Sequence, residues 1–270
     1  MSTVVGTETW QPVRVWGLPL APLTLEKTVD EVERLIHSGQ PRYFITANIH
    51  YAMLVERDAS LAAVNEAAAF LVADGMPLVW ASRWKGRALP ERVTGADLFP
   101  ALCARAAARG YRVFLLGGAP GVGEEAARHL RDRFEGLTVV GVESPPFRPL
   151  SPTEQNELVE RIRASRPDIL FLCFRMPNGE RWLAEWCPTL GIPVCVNIGA
   201  SLDFMAGRVP RAPHWIQRFG LEWSYRLYQE PGRLIPRYVK NGLFVLRMLA
   251  QDAMALIRGR KDKTQVASTV

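Results

Sequence analysis

The chain has 270 residues, 48% of them hydrophobic and 22% charged, with a formal net charge of +6. That length accommodates one large α/β domain or a domain with an appendage, and its apolar content is enough for a sizeable core. No run reaches the ~18 uncharged apolar residues of a spanning helix, the longest candidates such as Leu243–Leu246 being broken by Arg247 and Asp252, so no membrane span is expected.

Met1–Gln11 is polar and lacks the basic-then-apolar layout of a secretory leader, so none is expected. From Val13 to about Asp203, short β-rich runs alternate with amphipathic stretches. The expected strands are Val13–Trp16, Tyr43–Thr46, Phe70–Ala73, Arg112–Gly117, Thr138–Val142, Ile169–Phe174 and Val194–Ile198. The expected helices are Leu25–Ser38, Asp58–Ala68, Gly95–Arg109, Val122–Phe134, Pro152–Ser165 and Glu180–Leu190, with a further one suggested by Tyr51–Val55. Runs that are apolar throughout, Ile169–Phe174 above all, read as strands buried on both faces of a parallel sheet. The pattern predicts an α/β fold: a Rossmann-like, mainly parallel sheet with flanking helices over residues 1–204.

The character changes after Asp203. Residues 205–257 are rich in Arg, Trp, Tyr and Leu, with prolines at 210, 213, 231 and 236, and predict a helical appendage broken by those prolines. Residues 258–270 are expected to be a disordered tail. From Met205 to Val270 there are twelve Lys/Arg against four Asp/Glu, whereas the rest of the chain is slightly acidic. So concentrated a positive charge suits phosphates: nucleic acid, anionic lipid or a pyrophosphate ligand.

The four cysteines form no CxxC pair and read as free thiols. The four histidines form no HxH or HExxH pattern and there is no DxD, so no metal site is expected.

Strand ends carry the candidate chemistry. Phe70–Ala73 ends in Asp74-Gly75, Tyr43–Ile45 ends in Thr46-Ala47-Asn48, and downstream comes Glu91-Arg92-Val93-Thr94-Gly95. A carboxylate, a hydroxyl, an amide and a guanidinium thus follow short apolar segments, and such ends line the ligand crevice of an open α/β sheet. Taken singly, Asp74 reads as a turn or cap residue, and Thr46 and Asn48 as helix caps. Taken together, they could bind an anionic substrate and supply a general base.

Two further loops are candidates. Gly117-Gly118-Ala119-Pro120-Gly121-Val122-Gly123 joins a strand to a helix, and Gly117 and Gly118 could let a backbone approach a ligand. Glu143 follows at about the distance a dinucleotide fingerprint requires. The G-x-G-x-x-G spacing is not met, however, and Glu124 and Glu125 would repel a pyrophosphate. Arg175-Met176-Pro177-Asn178-Gly179-Glu180 follows the most apolar strand, and from pattern alone is an ordinary strand-to-helix turn.

The assembled pieces resemble the WecG/TagA/CpsF glycosyltransferases, glycosyltransferase family 26. The matching strings are Thr46-Ala47-Asn48, Ala73-Asp74-Gly75-Met76-Pro77, Glu91-Arg92-Val93-Thr94-Gly95-Ala96-Asp97, Gly199-Ala200-Ser201-Leu202-Asp203-Phe204, Arg211-Ala212-Pro213-His214-Trp215 and Gly220-Leu221-Glu222-Trp223-Ser224-Tyr225-Arg226-Leu227, with Glu230-Pro231-Gly232-Arg233 after them. The resemblance implies inverting, metal-independent transfer of a sugar from a UDP-sugar to a polyprenyl-pyrophosphate-linked saccharide at the cytoplasmic membrane face, with no cofactor. It implies Asp74 as base, Thr46, Asn48 and Arg92 at the nucleotide-sugar, and Arg226, Arg233 and Arg237 as appendage arginines. Where the family has Gly-x-Pro-x-Gln-Glu-x-Trp, this chain has Arg175 for the glycine and Gly179 for the glutamine, while Pro177, Glu180 and Trp182 match. Arg175 is expected in the vacated space, against a carboxylate or phosphate.

The expected partners are therefore a UDP-sugar, the lipid-linked acceptor and an anionic membrane surface, not nucleic acid, with a homo-oligomer left open. Two other classes remain at this point. One is an NAD-dependent oxidoreductase using the Gly117–Gly123 turn. The other is a non-enzymatic, basic membrane- or nucleic-acid-binding protein.

Overall fold

Two short strands open the fold. β1 (Val13–Val15) and β2 (Leu18–Leu20) pair as an antiparallel hairpin, Val13 opposite Leu20. Its turn residues, Trp16 and Gly17, have φ of 47° and 83°, the pair of positive values that matches strand twist in a two-residue loop. The computed structural model describes residues 10–84, 86–218 and 220–267, with side chains at 214, 218, 233, 256 and from 258 onward outside the described ones.

The remaining elements follow in order: α1 (Leu25–Ser38), β3 (Arg42–Ala47), α2 (Ile49–Arg57), α3 (Ser60–Ala67), β4 (Leu71–Ala73), α4 (Met76–Trp84), α5 (Gly95–Arg109), β5 (Arg112–Gly117), α6 (Val122–Arg133), β6 (Thr138–Glu143), α7 (Pro152–Ala164), β7 (Ile169–Cys173), α8 (Asn178–Leu190), β8 (Val194–Asn197), α9 (Ser201–Met205), α10 (His214–Arg218), α11 (Glu222–Gln229) and α12 (Pro231–Ala267). Local signals set several boundaries. Thr24 caps α1 by accepting from the Lys27 N–H, and Gly39 in the left-handed region ends it. Ser151 and Glu154 form a reciprocal capping box on α7.

The sheet runs β1-β2-β4-β3-β8-β7-β5-β6, and every pairing except β1 with β2 is parallel. This is the α/β architecture expected from the sequence. Parallel strands bring Ala47, Ala73, Gly117, Cys173 and Asn197 to one edge. β3 and β8 are neighbours, yet the chain leaves β3 toward β4 on one side and reaches β8 from β7 on the other. Such a reversal leaves a crevice between the loops, where ligands bind in open α/β sheets.

Successive strand residues feed opposite cores. Tyr43, Ile45, Leu71, Ala73, Leu170 and Leu172 face one side, with Tyr51, Leu61, Leu78, Leu158, Leu183 and Phe244 from the helices. Phe44, Phe70, Val72, Phe171, Val194 and Val196 face the other, with Val32, Phe99, Leu102, Ala126 and Leu130.

The C-terminal segment packs on the first of these sides. Phe244 of α12 is buried edge-on to Trp16, centroids 5.9 Å apart, and the Trp16 indole N–H donates to Asp252 at 3.0 Å. Arg247 pairs with Glu56 of α2. Pro231 and Pro236 do not split this helix. Pro231 begins it, where a missing N–H costs nothing, and Pro236 lies within it. The backbone of α12 continues to Ala267, through residues for which an unstructured tail was expected.

Candidate active site

Asp74 follows β4 at the carboxyl edge. Its N–H donates to Ala47 O at 2.8 Å, tying it to the end of β3. One residue earlier, Ala73 O accepts from Val93 N at 2.8 Å, which draws the Arg92 loop alongside. The Asp74 carboxylate accepts from the Gly95 N–H at the start of α5. The end of β3, the Arg92 loop and the start of α5 therefore meet around Asp74, which is partly buried.

The electrostatics there are mixed. Burial pushes the Asp74 carboxyl up from 3.8 to about 7, and the neighbouring Glu222 adds to this. Arg92, the Gly95 N–H and Arg226 act in the opposite sense. A carboxylate with a pKa near neutrality is suited to accept a proton at physiological pH.

Arg92 reaches the C-terminal segment. One guanidinium nitrogen donates to Gln217 O at 2.9 Å and another stands 3.7 Å from Glu222 Oε2. Arg211 holds the other Glu222 oxygen at 3.1 Å, Asp97 of α5 at 2.5 Å and Ala96 O at 3.3 Å. Arg226, also on α11, lies over the Phe204 ring at 4.9 Å. Gly220 makes this docking close, because its φ is 71° and a Cβ there would stand 2.5 Å from Met76 Cγ, two residues past Asp74.

Other expected site residues divide. Thr46 is 2% exposed and donates to Asn197 O at 3.3 Å. Asn48 caps α2, accepting from Tyr51 N at 3.1 Å. Both lie beside Asp74, with these groups engaged in the protein. Glu180 is fully buried in the first turn of α8. Its Oε1 accepts from Asn197 Nδ2 at 2.8 Å, its Oε2 has no partner, and burial raises its carboxyl to about 7. The Arg175 expectation is corrected. Arg175 is exposed, near enough to His50 to act on it together with Arg237 and Arg57. The space beside Gly179 is instead taken by the Asn197 amide, which a Cβ at 179 would strike. Arg237 belongs to that second group on the α2 side, apart from Arg226. The Arg233 side chain lies outside the described residues.

The two ends of the Gly117–Gly123 turn are packed, while Ala119, Pro120 and Gly121 between them are exposed. A Cβ at Gly117 would meet Cys173 O at 3.0 Å and the Phe174 ring, and one at Gly118 would meet Leu202 at 3.1 Å. Glu143 is paired with Arg161 at 2.7 Å. No cluster of three or more His, Cys, Asp or Glu side chains suited to a metal occurs among the described residues.

Glu222 stands within the Gly220–Leu227 string and Asn197 within the strand Val194–Ile198, and neither pattern gives a role, since Arg92, which Glu222 meets, and Thr46, which donates to Asn197 O, are remote in sequence.

The sequence profile of the Glycosyl transferase WecG/TagA/CpsF family matches residues 13–257. The chain is also 32% identical over 202 residues to a protein of Bacillus spizizenii (strain ATCC 23059 / NRRL B-14472 / W23) named N-acetylglucosaminyldiphosphoundecaprenol N-acetyl-beta-D-mannosaminyltransferase. That alignment covers 73% of this chain and 77% of the relative.

Proposed function

Because the chain belongs to the WecG/TagA/CpsF glycosyltransferase family, we propose that it moves a sugar from a UDP-sugar to a polyprenyl-diphosphate-linked saccharide, with inversion at the anomeric carbon. Family membership takes the place of the oxidoreductase and non-enzymatic alternatives. The acceptor class comes from the relative's name, which specifies a diphosphoundecaprenol-linked acceptor. The observation that carries the mechanism is Asp74 at the carboxyl edge of the sheet, its carboxyl pushed up to about 7, with Arg92 and Arg226 acting on it.

The acceptor hydroxyl gives its proton to Asp74 as its oxygen bonds to the anomeric carbon. The bond from that carbon to the diphosphate breaks on the opposite face, and the electron pair leaves with UDP. Charge grows on the diphosphate in the transition state. Arg92 and Arg226 bring permanent charge and bidentate geometry to meet it, so the reaction needs no divalent metal.

Membrane association is part of the same reading. One side of α12 is packed inward through Leu234, Asn241, Phe244 and Asp252. The other exposes Ile235, Val239, Leu243, Leu246, Met254 and Ile257 at helical spacing. No helix among the described residues is long and apolar enough to cross a membrane. An apolar stripe flanked by Lys240 and Arg247 suits the interface of an anionic bilayer, at the inner face of the cell membrane, where UDP-sugars are available.

The test is a panel of UDP-sugars with a synthetic polyprenyl-diphospho-N-acetylglucosamine acceptor, reading released UDP and product mass. Transfer from one UDP-sugar supports the reading, and product formed only from another class of donor overturns it.

A further inference from the structure

We propose that Glu222 is a positioning residue of this site: one carboxylate oxygen holds Arg92, the other holds Arg211, and the carboxylate stands as a negative neighbour to Asp74, so α11 sets the arginine and the base together. This rests on the proposed transfer reaction and adds a residue to it.

The geometry goes beyond a surface ion pair. The Glu222 side chain is 13% exposed, and its partners come from two other parts of the chain. Arg211 is anchored by Asp97 and Ala96 O, so its pairing with Glu222 is the arm that ties α11 to α5. The contact with Arg92 is different. At 3.7 Å it is loose, and among the described residues the firm bond of Arg92 is to Gln217 O. A guanidinium with five N–H donors held in this way keeps donors for a diphosphate while staying in place. Without Glu222, Arg92 would keep its bond to Gln217 O but lose the one carboxylate, among the described residues, that draws it away from Asp74.

The second effect is on the base. The charged groups acting on Asp74 are Glu222 and Arg226 from α11 and Arg92 from the loop before α5, with the Gly95 N–H as a dipole. Two arginines alone would hold Asp74 ionised and make it a poor proton acceptor. Among the described residues Glu222 is the acidic group acting against them, and it keeps the base usable with two arginines at hand for the leaving group.

The experiment is a carboxyl titration of the ligand-free, full-length protein carrying ¹³C-labelled aspartate, with Asp74 identified by its absence in Asp74→Asn. Glu222→Gln should move the Asp74 midpoint to lower pH by about half a unit or more. Glu222→Asp keeps the charge and should hold the midpoint within a few tenths of a unit of wild type (about the interaction retained by a charge moved one carbon). Arg211→Gln cuts the tie to α5 and should lower thermal stability without lowering the midpoint. An unchanged midpoint in Glu222→Gln overturns the proposal, as does an equal fall in Arg211→Gln, which would mark general loosening. If the glutamine variant does not fold, a midpoint far from wild type in Glu222→Asp has the same force. None of this needs turnover, so absence of UDP-sugar transfer would count against the transferase reading and leave the titration to decide Glu222.

Discussion

Gly220 and Met76 touch so closely that neither position has room for more: a Cβ on Gly220 would lie 2.5 Å from Met76 Cγ, at a φ of 71°. Through this contact the entry to α11 sits against the start of α4, beside the Asp74 carboxylate. Gly220→Ala should therefore cost about 1–3 kcal/mol through backbone strain and overpacking. The expected result is a lower Tm with an unchanged circular dichroism spectrum at 25 °C, and transfer reduced more than UDP binding. Full activity in the variant would mean that α11 need not dock this closely.

Asp74→Asn should lower kcat by about 10²- to 10⁴-fold while UDP affinity stays within a few-fold. In the wild type the base works ionised. With its carboxyl at about 7, kcat/KM should rise with pH through that value and level off above it. A flat profile from pH 5 to 9 would show that no carboxylate of this kind is in use.

Arg226→Ala should cost about a hundredfold in rate, and Arg226→Lys should recover only part of it, because the ammonium lacks the planar fork. The companion expectation is that EDTA leaves transfer intact. Activity lost on chelation and restored by Mg²⁺ or Mn²⁺ would move the leaving-group role from the arginines to a metal.

Glu180 gives a stability prediction independent of turnover. Its folded carboxyl is raised from 4.5 to about 7 by burial, so the folded state holds the proton more tightly than the unfolded one. Its stabilising contribution is complete below about 4.5 and is lost as pH rises through about 7. Glu180→Gln keeps an acceptor for Asn197 without the charge. The variant should gain on the wild type in Tm between pH 5 and pH 8. A constant difference across that range would count against the buried-carboxyl account.

Seven of the eight strands were legible: the central ones are buried on both faces, which leaves an apolar run bounded by turns, and β1 and β6 keep short valine-rich runs. β2 was missed for a physical reason: three residues with Pro19 at the centre carry little pattern, and Trp16-Gly17 is not a customary hairpin pair. Pro236 misled in the opposite direction, since one lost backbone bond near the start of a long helix packed through Leu234, Asn241 and Phe244 does not break it. At the site, Asp74, Thr46, Asn48 and Arg92 could be found because strand ends converge in any parallel sheet. The linkage through Glu222 could not, since it depends on where α11 folds back and no spacing rule records that. Arg175 does not fill the space beside Gly179 because Asn197, 22 residues on, takes it, and no sequence rule records that.

The pairing of β3 with β8 sets Arg42 beside Val194, and this has a consequence for synthesis. A ribosome delivers β3 long before its central partner, so that edge of β3 stays unsatisfied while most of the chain is made. Contacts of such long sequence separation form slowly, and an exposed parallel edge invites association with other chains. Phe244 and Asp252 must then still reach Trp16. Assembly therefore finishes only after nearly all of the polypeptide has left the exit tunnel, and the yield of native protein should fall sharply when chaperone capacity is limiting.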